Sequence, residues 1–217
     1  YLPQGIQDKG KEIRTFMPRF GSINERRNQL HEVIRLSGMN LIISDTDHPL
    51  IIKVASIQSA RMQVYFIDNE DYFHRKNTLT EEDGTQFADN DERMVFFARG
   101  VLETVRKLRW VPDIVHCHGW FTAAAPLYVK KAFKEDPIFS NSKVVYSIYN
   151  DEFSGSLAAG LKSKLLTEGV RSKDLEIVSN SGTWENITKL AIQYSDAIVI
   201  GSQTINPNIS SFLEEIK

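Results

Sequence analysis

The spacing of apolar residues changes period several times along the chain, and each change marks an element. In residues 91–108, Met94, Phe97, Val101, Val105 and Leu108 recur at helical intervals, so one face of a helix is apolar there. Asp89 and Glu92 stand where a capping box would open it. Short apolar runs of strand length follow at 113–116, at 143–148 (KVVYSI) and at 197–200 (AIVI). Helical patterns at 122–133, 161–169, 183–194 and 209–216 separate or follow them. Strands alternating with helices in this way bury both sheet faces. The pattern therefore predicts an α/β three-layer sandwich with a mostly parallel, Rossmann-like sheet.

The first part of the chain reads differently. Residues 1–9 suit a helix with Gly10 as a left-handed cap, followed by a strand over 12–17 that ends at Pro18. A helix leading into a strand of a parallel sheet is a crossover, so a further strand is expected ahead of Tyr1. Between residues 30 and 68 the runs HEVIRL, NLIIS, LIIKVASI and MQVYFID are divided by turn-forming residues, which predicts an antiparallel β excursion. Residues 73–87, with Glu81, Glu82 and Asp83 in a row, read as a surface loop. No repeat or Pro-rich linker divides the chain, so one domain over 1–217 is expected.

Composition narrows the function classes. With 41% hydrophobic and 25% charged residues, the chain can bury a core. A net charge of −2 provides no broad positive field, so no nucleic-acid partner is expected. No apolar run approaches the ~20 residues of a membrane span, so no membrane partner is expected either. The single Cys117 excludes an internal disulfide and fits a reducing compartment, with the cytoplasm as the expected location. The chain starts at Tyr1 and not at Met, which leaves an upstream targeting segment open.

In an open parallel sheet, ligands gather at the carboxyl ends of strands. After the strand at 113–116 the sequence His116-Cys117-His118-Gly119-Trp120-Phe121-Thr122 runs into a helix. His118 can exchange hydrogen bonds with sugar hydroxyls in either tautomer, Gly119 lets a ligand approach the backbone, and Trp120 offers an apolar face to a pyranose ring. Other roles are open: His116 as an ordinary strand residue, Trp120 as core, a metal gripped by His116 and His118, or Cys117 as a nucleophile. Cys117 should point away from both histidines. No regular zinc-ligand spacing, G-x-G-x-x-G or P-loop is present, so neither a metal nor a cofactor is expected. The residues alone lead to an α/β domain with a polar-ligand cleft near His118.

Ordered blocks carry a resemblance to the glycogen and starch synthase family. Residues 2–21 (LPQGIQDKGKEIRTFMPRFG) and 64–69 (VYFIDN) are similar to its early helix and strands, and Asp89-Asn90 through Arg93 to its "DN..RF" helix start. Residues 112–122 (PDIVHCHGWFT) resemble "PDIVHAHDWHT", residues 144–155 (VVYSIYNDEFSG) resemble "VFTIHNLAYQG", and residues 194–204 (YSDAIVIGSQT) resemble "YADKVTTVSPT". Departures from these patterns include Gly119 for Asp, Tyr149 for His and Gln203 for Pro.

The resemblance implies one lobe of a two-lobe glycosyltransferase fold, transferring glucose from ADP-glucose to the non-reducing end of an α-1,4-glucan. It implies catalytic roles for His118 and Asp89, and substrate-binding positions at Gly119, Trp120, Tyr149 and Asn150. It further implies an upstream loop and a second lobe as partners of this chain, which alone should be a poor catalyst. The alternative is a non-catalytic regulator of glycogen metabolism that binds glucan or another protein.

Overall fold

The computed structural model describes residues 1–216. The chain divides into two compact units, Tyr1–Thr85 and Gln86–Lys217.

The first unit contains helix α1 (Leu2–Asp8), strands β1 (Thr15–Pro18), β2 (His31–Glu32), β3 (Met39–Ile43), β4 (Thr46–Ile57) and β5 (Met62–Asp68), and helix α2 (Glu70–Phe73). Gly10 adopts φ +74°, the left-handed conformation that ends α1 at low steric cost. β1 pairs parallel with β5, while β4 pairs antiparallel with β5, β3 and β2, so the predicted antiparallel excursion is present. The HEVIRL run departs from expectation, for only His31 and Glu32 pair. The Val33 carbonyl instead accepts the N–H groups of Leu36 and Ser37, closing a turn. Ser37 Oγ accepts the Ile52 N–H at 3.0 Å and so replaces a strand partner. Asp68, buried at the end of β5, is held by Lys53 Nζ at 2.9 Å and His74 Nε2 at 2.7 Å.

The second unit contains α3 (Asn90–Leu108), β6 (Ile114–His118), α4 (Ala124–Lys130), β7 (Lys143–Ile148), β8 (Ser156–Leu157), α5 (Leu161–Leu165), β9 (Gly182–Thr183), α6 (Trp184–Gln193), β10 (Ala197–Ile200) and α7 (Pro207–Glu215). β6, β7 and β10 form a parallel sheet in that order, and β8 pairs with β9 in a small antiparallel ribbon. The α/β class thus agrees with the hydrophobic pattern.

The predicted helix at 122–133 is shorter than expected, because Trp120–Thr122 form a 3-10 turn before α4 begins. Residues 172–178, to which the periodicity assigned no element, also form a 3-10 turn. The Arg171 N–H donates to Asp174 at 2.9 Å and Lys131 pairs with the same carboxylate at 2.9 Å.

α3 is the packing centre of this unit. Met94, Val95, Phe96, Phe97, Leu102 and Val105 are all buried, and burial of each such side chain stabilises by about 1.5–3 kcal/mol. Its first turn is tied to α5, where Lys164 Nζ lies 2.7 Å from Asp91 and 2.8 Å from Glu92. Burial pushes the Asp91 carboxyl above its ordinary range, and the Lys164 ammonium opposes that shift. Thr183 caps α6 by accepting the Asn186 N–H at 3.3 Å.

Candidate functional site

The carboxyl ends of β6, β7 and β10 converge because the three strands are parallel and in register. His118 faces Ser147, and Ile148 faces Ile200. Alternate residues of a strand share a face, so His116 and His118 stand side by side with ring centroids 4.1 Å apart. His116 Nε2 hydrogen-bonds Ser147 Oγ at 2.8 Å, and His118 Nδ1 hydrogen-bonds the Tyr149 hydroxyl at 2.8 Å. Partial desolvation pulls both imidazoles below their usual pKa, and the neighbouring His118 adds to the effect at His116. Both rings are therefore neutral near pH 7. Cys117 points the other way, is buried, and has its thiol pushed up to about 12. It stays protonated, which removes the nucleophile reading.

Gly119 has φ +70° and ψ 175°, a conformation essentially confined to glycine. A Cβ there would collide with Asp151 Oδ2 and touch the Tyr149 ring at 3.8 Å. Asp151 uses that space. Its Oδ2 accepts the Trp120 backbone N–H at 3.1 Å and its Oδ1 accepts the Trp184 indole N–H at 3.0 Å. Partial burial raises the Asp151 carboxyl pKa, and the two donors oppose the rise. Tyr149 lies against Gly201 as well, where any Cβ would overlap the phenol ring. Asn150 is exposed at the same rim, its backbone N–H donating to Ser202 Oγ at 2.9 Å.

Trp120 is only 3% exposed, and its indole packs edge-on against Phe153 at 4.8 Å and Phe121 at 5.3 Å. Its contact with the rim is the backbone N–H. Asp89 is the N-cap of α3, half-buried, and makes no side-chain capping bond. The buried Arg93 side chain connects this first turn to the loop after β6, donating to Asn90 at 2.6 Å and lying 5.8 Å from the Phe121 ring centre. The structure thus brings His118 and Tyr149 into direct contact beside Gly119, with Asp151 holding the Trp120 backbone and Asn150 on the same rim. Asp89 lies on a separate element, linked through Arg93 and Phe121.

Sequence reasoning missed Asp151, Ser147, Gly201 and Trp184. Asp151 had a usable signal, since it follows Asn150 in the loop after a parallel strand. Among the described residues, no three or more His, Cys, Asp or Glu side chains are grouped so as to hold a metal ion. Among the same residues, no helix is long and apolar enough to cross a membrane.

Comparison with known proteins gives this rim a family context. The model of the starch synthase catalytic domain matches residues 1–215. A glycogen synthase of Chlorobium phaeobacteroides is 34% identical over 225 residues, covering 100% of this chain and 46% of the relative. A glycogen synthase of Chlorobium limicola is 39% identical over 172 residues, covering 79% of this chain and 35% of the relative. The chain therefore spans about a third to a half of the length of these curated relatives. Among solved structures, the catalytic domain of starch synthase IV from Arabidopsis thaliana, bound to ADP and acarbose, superposes with a TM-score of 0.72 at 19% identity. The match covers 91% of this chain and 39% of that one, and it supports the fold.

Proposed function

The chain belongs to the starch synthase catalytic domain family, and on that premise we propose that it forms the glucose-handling lobe of a cytoplasmic hexosyltransferase. The donor is ADP-glucose and the acceptor is the non-reducing end of an α-1,4-glucan. The observation that carries this reading is His118, placed at the carboxyl end of β6 with Nδ1 engaged by Tyr149 and the ring accessible to solvent.

With Nδ1 occupied, Nε2 remains to meet a sugar hydroxyl, and the Tyr149 bond fixes the ring plane. The depressed pKa matters for chemistry. Glucosyl transfer passes through an oxocarbenium-like state, and a neutral imidazole beside it adds no repulsive positive charge. Asn150 and Asp89 orient further hydroxyls, and the Gly119 backbone allows the sugar to approach closely. Negative charge grows on the departing diphosphate, and fixed cations there are worth several kcal/mol. In this reading those cations come from a second lobe, and the present lobe alone transfers glucose poorly. The regulator reading has no comparable support, because the similar curated proteins are glycogen synthases.

The test is titration of the chain with ADP-glucose, alongside incorporation of labelled glucose into glycogen. His118→Ala should weaken donor binding by on the order of tenfold or more. Equal binding by wild type and His118→Ala would remove His118 from the site.

A further inference from the structure

The loop that carries His118 has no side chain at residue 119 to anchor it, yet its backbone holds a conformation that few residues tolerate. The anchor comes from across the sheet. Asp151, in the loop after β7, sends its carboxylate into the volume that a residue-119 side chain would occupy. Each oxygen accepts a different N–H: Oδ2 takes the Trp120 backbone, the first residue after Gly119, and Oδ1 takes the Trp184 indole at the start of α6. Trp184 is itself buried, so the carboxylate is aimed from a fixed post. Two residues before Asp151, Tyr149 packs beside Gly119 at van der Waals distance and holds His118 Nδ1.

We propose that Asp151 is a positioning residue for His118: its carboxylate locks the Gly119–Trp120 turn and the Tyr149 loop together, so that the His118 ring meets the sugar in one orientation. The carboxylate touches neither the imidazole nor the ligand and acts through the backbone that carries them. This rests on the reading that His118 contacts the donor sugar. Asp151→Asn keeps the shape but offers one acceptor oxygen to two N–H donors, so one donor then faces an amide N–H₂.

Two measurements separate the proposal from that reading. The first is the 15N spectrum of the His118 imidazole in the ligand-free chain, which reports the tautomer and the bond from Nδ1 to Tyr149. Wild type should show a single fixed tautomer and Asp151→Asn an averaged pattern, with the thermal midpoint of unfolding moved by only a few degrees. Trp184→Phe, which removes one donor and leaves the rim chain untouched, should change the pattern in the same direction and serves as the test if Asp151→Asn does not fold. The second is the Kd for ADP-glucose, which should rise on the order of tenfold in Asp151→Asn. A wild-type imidazole pattern in the folded variant overturns the positioning role whatever the Kd does. An altered pattern beside ADP-glucose binding that is equal in wild type and His118→Ala upholds the positioning role and overturns the donor reading.

Discussion

Two stacked imidazoles at the end of one strand contribute to the acid sensitivity of this protein. His116 and His118 both have depressed pKa values in the folded chain, so the unfolded chain binds protons first as pH falls. Their contribution is complete above the unfolded value of about 6.5 and is lost as pH drops through the folded values. Urea titrations between about pH 7 and 5 should show stability decreasing with acid, and His116→Gln/His118→Gln should flatten that slope. Asp91 and Asp151, with raised pKa values, contribute with the opposite sign, and subtracting the variant from wild type isolates the histidine effect.

The site was legible in sequence to the extent that it follows strand ends. His118, Tyr149 and Asn150 come directly at or after β6 and β7. Asp151 was not legible as an anchor, because its role depends on a glycine in the turn that follows the neighbouring strand β6. Burial of Trp120 depends on Phe121 and Phe153 closing around it, which spacing alone does not reveal.

At the level of elements, β5, β7 and β10 were readable to the residue, because short apolar runs flanked by polar turns have few alternatives. HEVIRL was misleading: Ile34 is 82% exposed, and the run turns where Ser37 takes over a strand hydrogen bond. The 3-10 turn at 172–178 carries no periodicity and is held by charges, chiefly Asp174 with Lys131. α3 is correctly placed by its apolar stripe, but its coupling to α5 is an ion pair between distant residues. Lys164→Met would leave the fully buried Asp91 without its cation, costing about 3 kcal/mol by thermal or chemical unfolding. The variant should regain part of that loss at acidic pH, where Asp91 protonates, and Lys164→Met/Asp91→Asn should recover most of it at neutral pH.

For the whole chain, the alternation of strand and helix was enough to fix the α/β class, and ordered sequence blocks were enough to suggest the family that residues 1–215 match. The division into two compact units was not readable, since no linker composition marks it. The polar loop that closes the first unit, with Glu81, Glu82, Asp83 and Gly84 all exposed, is the expected point of first proteolytic attack. Limited digestion should release a fragment starting near residue 86 that retains cooperative unfolding, because its parallel sheet and α3 core are internal to that unit. A fragment that melts without a transition would show that this core is insufficient by itself.

The crowding around Tyr149 and Asp151 also makes the rim intolerant of single changes. A Cβ at position 201 would overlap the phenol ring, and a Cβ at position 119 would meet the present Asp151 carboxylate. Neither glycine can therefore be enlarged unless its neighbour is changed with it, so substitutions at this rim are tolerated only in pairs.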